Sequence, residues 1–132
     1  MTKGSCLCGQ VSFEIEGEFE HFFICHCSYC RKDSGSAHAA NLFTKKSALK
    51  WLSGEDKVTN FLLEATRHTK SFCSICGSAL PIVEPDDEVC IVPAGCLDDE
   101  VAMKPEAHIY TASQASWERE LAGTKQFPEL PE

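Results

Sequence analysis

Along the first third of the chain, Val11, Phe13 and Ile15 alternate with Ser12, Glu14 and Glu16. That period of two marks a strand with one buried face. Phe22-Phe23-Ile24 is a short apolar run that delivers the chain to Cys25. Residues 39–44 and 58–63 read as further strands. Turn-like Asp33-Ser34-Gly35-Ser36 and Ser53-Gly54-Glu55-Asp56 bracket them. Residues 46–52 suit one helical turn or a loop. Residues 67–73 read as extended, and 78–83 and 89–92 complete an antiparallel set. Pro85-Asp86-Asp87 forms the turn between the last two, and Pro93 suits a strand end or edge. Ser116 to Leu121 reads as a short helix, with Trp117 and Leu121 four residues apart on one face. The pattern predicts a mainly β fold of small antiparallel sheets in a single domain over 1–132. Its core spans about 4–121, and 122–132 form a loose tail.

Length and composition narrow the class. The 132 residues are one domain's worth, and 43% hydrophobic with 24% charged residues is ordinary globular composition. No apolar run approaches the ~20 residues needed to span a bilayer. Met1-Thr2-Lys3-Gly4-Ser5-Cys6 has no signal-peptide character, so the expected location is the cytoplasm. Twelve basic residues against twenty acidic leave a net charge of −8. Lys45-Lys46 and Arg31-Lys32 are the only adjacent basic pairs. Such a chain repels phosphate backbones and anionic lipid surfaces, which argues against nucleic-acid and membrane partners.

Nine cysteines change the picture. An odd count, short spacings and no leader favour metal ligation over a disulfide framework. Cys6-Leu7-Cys8 is one pair, Cys25-His26-Cys27-Ser28-Tyr29-Cys30 a triplet, and Cys73-Ser74-Ile75-Cys76 a second pair. Thiolates one or two residues apart can face one zinc ion at roughly 2.3 Å across a tight turn. Gly9 and Gly77 follow the two pairs, as such turns favour. Two groupings are open. Cys6, Cys8, Cys73 and Cys76 can share a closed site, with Cys25, Cys27 and Cys30 forming a three-ligand site. Alternatively the triplet joins one pair and leaves the other idle. The triplet can also be closed by a distant fourth ligand: His26, His38, His68, His108, Cys90 or Cys96.

Several stretches resemble, in order, the motifs of the glutathione-dependent formaldehyde-activating enzyme family, which includes the centromere protein V-like domains. They are Gly4 to Val11, Cys25 to Lys32 with Gly35, Phe72 to Ser78, Gly95 to Asp99, and Pro105 with His108-Ile109 and Trp117. Cys96 departs from the pattern, standing where that family usually carries threonine. The resemblance implies a β-tent fold, small antiparallel sheets pinned by zinc, shared with methionine sulfoxide reductase B and a Rab-binding chaperone. It implies two zinc ions per chain: a structural one on Cys6, Cys8, Cys73 and Cys76, and a catalytic one on Cys25, Cys27 and Cys30. It further implies carbon–sulfur lyase chemistry on a small-molecule thiol and an aldehyde, with glutathione and formaldehyde joined as S-hydroxymethylglutathione.

At such a triplet, the fourth position would take the substrate thiol and stabilise it as a nucleophile. His26, Ser28, Tyr29, Asp33 and His108 are the candidate proton carriers by type or nearness in sequence, each with an ordinary packing or capping alternative. Arg31, directly after the triplet, suits recognition of a substrate carboxylate, with a solvated surface pair as its plainer reading. Cys90, between Val89 and Ile91, reads as a small buried hydrophobe. Cys96, beside Gly95, reads as more exposed. Two other functions compete: a thiol redox enzyme with Cys96 as nucleophile, and a non-catalytic zinc module that binds a partner protein. The fourth ligand of the triplet separates enzyme from module.

Overall fold

In the computed structural model, which describes residues 1–131, eleven short strands form three small sheets around one helix. The first sheet holds β1 (Thr2–Ser5), β2 (Ser12–Ile15) and β5 (Leu49–Ser53) in the order β1-β2-β5. The second runs β11-β3-β4-β10-β9. Its members are β3 (His21–Cys25), β4 (Ala39–Lys45), β9 (Ile82–Val83), β10 (Val89–Pro93) and β11 (Ala107–Ile109). The third is β6 (Val58–Leu62), β7 (Thr69–Cys73) and β8 (Ala79–Leu80). The predicted β class holds. The predicted set is antiparallel throughout, whereas β11 pairs with β3 in parallel.

The alternation at Val11, Phe13 and Ile15 is realised: all three are fully buried. With Leu42, Leu80 and Val92 they fill the space between the sheets. Burying a large apolar side chain contributes about 1.5–3 kcal/mol. Gly4 on β1 lies opposite Phe13, and a Cβ there would meet the Phe13 ring and the Cys96 carbonyl, so only glycine lets β1 close on the core. Cys6, Cys73, Cys90 and Cys96 belong to this same core.

Pro93 ends β10, as expected. Three local expectations are corrected. Residues 46–52 are a 3-10 turn at Lys46–Ala48 followed by β5. Helix α1 (Ser28–Ser34) occupies the stretch read as a turn around Asp33. It is capped by Cys27, whose Sγ accepts the Cys30 N–H, and it ends at Gly35 in the left-handed region. The cap is thus Cys27, not Ser28. The helix expected at 116–121 is two separate 3-10 turns, Ser116–Glu118 and Leu121–Gly123. Trp117 and Leu121 are exposed there, and Glu118 is the buried residue. Residues 124–131 are exposed without helix or strand, and Glu132, the end of the expected tail, lies outside the described residues. Among the described residues no helix is long and apolar enough to cross a membrane.

Candidate metal centres

The turn after β1 carries Cys6 and Cys8, and the turn after β7 carries Cys76 just past Cys73, which ends that strand. The two turns meet. The Sγ atoms of Cys6, Cys8, Cys73 and Cys76 all lie within 4.8 Å of one another. Cys6 and Cys8 are 3.5 Å apart, and Cys8 and Cys73 3.9 Å. A tetrahedral ion with ~2.3 Å bonds separates its sulfurs by roughly 3.8 Å, so the four thiols fit zinc. The turns are built alike. The Gly9 N–H donates to the Cys6 carbonyl and the Gly77 N–H to that of Cys73, and both glycines adopt positive φ. Backbone N–H groups also aim at sulfur, Val11 at Cys6 and Ile75 at Cys73. N–H donors from Cys8 and Ser78 draw the Cys76 thiol down to about 6. The Gln10 N–H pulls Cys8 in the same direction, but burial and the neighbouring thiols outweigh it and leave Cys8 at about 11. One easily ionised thiol beside one held protonated is what crowding of negative charge produces.

The triplet is assembled within six residues. Cys25 ends β3, Cys27 caps α1, and Cys30 sits in its first turn. Their sulfurs also lie within 4.8 Å of one another. Burial pushes the Cys25 and Cys30 thiols up. At Cys27 burial is outweighed by the Cys30 N–H and neighbouring thiols, which lower it. Among the described residues, no fourth Cys, His, Asp or Glu atom joins the set. The distant residues considered as closing ligands are engaged elsewhere. His68 Nε2 pairs with Asp33 at 2.7 Å, and Lys70 Nζ holds the same carboxylate at 2.9 Å. Cys90 is fully buried in the core, as expected. Cys96, expected to be more exposed, is 9% exposed, and burial pushes its thiol up to about 12. It is a poor nucleophile at neutral pH.

His26 does not point into solvent between its cysteines; it is fully buried. Its Nε2 lies 2.7 Å from His108 Nδ1, and its Nδ1 2.7 Å from Glu118 Oε2. Glu118 Oε1 lies 2.8 Å from His38 Nδ1. The Glu118 carboxyl is held below its ordinary value: burial raises it, but the two imidazoles prevail. Glu118 was not legible as a site residue. It stands in the charged run Glu118-Arg119-Glu120 inside the expected short helix, where nothing marks it as buried.

Two hollows flank the triplet. One of about 280 Å³ reaches Cys30 and is lined also by Asp33, His38, Arg67, His68 and Lys70. A smaller one, about 160 Å³, is lined by Ser28, Arg31, Lys32, Ser36, Ala115 and Trp117. Arg31 Nε is buried there without a hydrogen-bond partner. Tyr29 is exposed and leans on His68, its ring centroid 5.6 Å away.

Residues 1–113 match the family model described as "Glutathione-dependent formaldehyde-activating enzyme". A protein of Halomonas elongata is 30% identical over 125 residues, covering 89% of this chain and 79% of its own length. It is named "Putative glutathione-dependent formaldehyde-activating enzyme". A crystal structure of a Rhodobacter sphaeroides protein superposes with a TM-score of 0.63 at 23% identity. That likeness covers 80% of this chain and 98% of the other, and it supports the fold.

Proposed function

The chain belongs to the glutathione-dependent formaldehyde-activating enzyme family, and from that premise we propose that it makes and breaks a carbon–sulfur bond between a thiol and an aldehyde. Glutathione and formaldehyde are the substrates the family name suggests. The thiol sulfur bonds to the carbonyl carbon, the C=O π bond opens, and the thiol proton ends on the new hydroxyl. The reverse step returns both partners, so the reaction is of the lyase type. Two zinc ions per chain fit the thiols present: a structural one on Cys6, Cys8, Cys73 and Cys76, and a catalytic one on Cys25, Cys27 and Cys30. When bound at the triplet, zinc supplies the Lewis acidity that keeps a substrate thiol ionised at neutral pH.

One observation carries this reading: among the described residues the triplet has three sulfurs and no fourth protein donor. A closed site has no place for substrate, and a three-ligand site does. The chain's other residues fit the same task. The hollow beside Cys30, lined by Arg67, His68, Lys70, Asp33 and Glu84, offers polar partners of both signs to the tail of a thiol substrate. Arg31, with its buried Nε free, is proposed to hold a substrate carboxylate. Asp33 is pinned between His68 and Lys70 and orients both side chains.

The test is exchange of formaldehyde between its hydrate and its glutathione adduct, followed by NMR on zinc-loaded protein. The protein accelerates exchange, and Cys27→Ser removes at least about 100-fold of that acceleration with the fold retained. Unchanged exchange in Cys27→Ser would sink the assignment.

A further inference from the structure

Beside the triplet lies a second cluster of ligand atoms that the proposed chemistry leaves unused. His26, between two of the thiols, is 0% exposed, and Glu118 on the Ser116–Glu118 turn is 9% exposed. His38, one residue before β4, keeps its side chain 34% exposed. The imidazole Nδ1 atoms of both histidines and a Glu118 carboxylate oxygen lie within 4.8 Å of one another. The His26 contact is unusual. Nδ1 and Oε2 are 2.7 Å apart, yet neither buried atom makes a hydrogen bond among the described residues. Buried polar atoms in such a state destabilise the fold unless something else meets their lone pairs.

We propose that His26, His38 and Glu118 form a binding site for a six-coordinate divalent ion of the first transition row, separate from both cysteine sites. Two imidazoles and a carboxylate make one face of an octahedron and leave the remaining positions open. The Glu118 carboxylate turns one oxygen to each imidazole, Oε2 to His26 Nδ1 at 2.7 Å and Oε1 to His38 Nδ1 at 2.8 Å. Nitrogen donors select iron, cobalt or nickel over magnesium or calcium. On the far side of His26, Nε2 meets His108 Nδ1 at 2.7 Å. That contact holds the ring in place with Nδ1 turned to Glu118, as outer partners of metal-bound histidines do. The exposed side of His38 offers the entry path. The ion would clamp the Cys25–Cys27 link and the start of β4 to the C-terminal turn. The main chain already makes the same tie: the His26 N–H donates to the Ile109 carbonyl, and Ser113 Oγ donates to the His26 carbonyl.

The test is titration with Co²⁺ of protein whose cysteine sites hold zinc. One further equivalent binds with the weak visible bands of a six-coordinate ion, without thiolate-to-cobalt charge transfer and without zinc release. Glu118→Gln and His38→Gln each weaken that binding at least about 100-fold. His38 is partly exposed, so its variant reads the site even where Glu118→Gln disturbs folding. No added binding, thiolate bands, or undiminished binding in His38→Gln overturns the proposal. The readout bypasses turnover, so it stands or falls independently of the thiol–aldehyde reading.

Discussion

The two cysteine sites use one ligand atom and are assembled in opposite ways. The four-thiol site joins the turn after β1 to the turn after β7, with Cys8 and Cys73 separated by 65 positions. The three-thiol site is written within Cys25 to Cys30, at the junction of β3 and α1. An ion in the first closes a long loop and ties two sheets together, so its binding energy is folding energy. An ion in the second ties neighbours already held by β3 and the α1 cap. Little of the fold rests on it, and its coordination is free for chemistry. Cysteine count alone does not separate structure from function; we propose that the distance each site spans along the chain does.

The sharpest way to break this contrast is Cys73→Ser. Cys73 is fully buried in the core, and the change removes a ligand from the long-range site. Closed zinc sites bind with about 10–16 kcal/mol apparent free energy in small domains, as much as a whole domain's stability of about 5–15 kcal/mol. The expected outcome in thermal unfolding is loss of the cooperative transition, whereas Cys27→Ser keeps it. A cooperatively folded Cys73→Ser protein would remove the distinction between the sites.

Mild chelation sharpens the same contrast without mutation. The ion at the triplet, lacking a fourth protein ligand, leaves first and exposes three thiols to titration while circular dichroism is unchanged. The four-thiol ion leaves only as the dichroism collapses. Release of four thiols first, or of all seven together, would contradict the division of labour.

The long-range site was legible as spacing, because each pair is local and only the pairing of pairs is not. The strands were legible where alternation is strict, as at Val11, Phe13 and Ile15. Helix α1 was not: it is one of the shortest a chain can form, and its cap is a cysteine sulfur where Ser, Thr, Asp or Asn is usual. β11 escaped because three residues with an exposed pattern carry no periodicity, and its partner β3 is remote in sequence. Glu118 was invisible for a physical reason. A buried carboxylate is tolerable only beside partners such as His26 and His38, and those lie about eighty to ninety positions away. Cys96 was misplaced because Gly95 does mark a turn, but β1 covers that turn through the Gly4–Leu97 bridge.

A smaller effect separates substrate binding from metal chemistry at the triplet. Arg31→Ala removes a guanidinium whose Nε has no hydrogen-bond partner among the described residues. A hydrogen bond to a charged group is worth about 1.5–3 kcal/mol, so KM for an anionic thiol rises by about 10-fold or more. The KM for a neutral thiol such as mercaptoethanol and the thermal midpoint stay close to wild type. Equal losses for both thiols would assign Arg31 to the fold instead.

The smallest expected effect falls on Cys96, the one buried thiol outside both sites that carries a rival chemistry. Cys96→Thr is expected to leave turnover unchanged, because a thiol held at about 12 offers almost no thiolate at pH 7. Its signature is alkaline instead. In the folded chain burial raises the thiol from 9.0 to about 12, so the unfolded chain loses this proton first as pH rises. Stability present below pH 9 is therefore lost progressively as pH climbs toward 12. Cys90, raised to about 12 by burial, adds to the same limb. Unfolding free energy of wild type and Cys96→Thr, measured in matched buffers between pH 8 and 11, isolates one thiol because changes at the clustered thiols cancel. The variant's limb is the shallower one. Equal limbs would mean that Cys96 ionises as readily folded as unfolded, and lost turnover would place it in the chemistry that the open triplet otherwise carries alone.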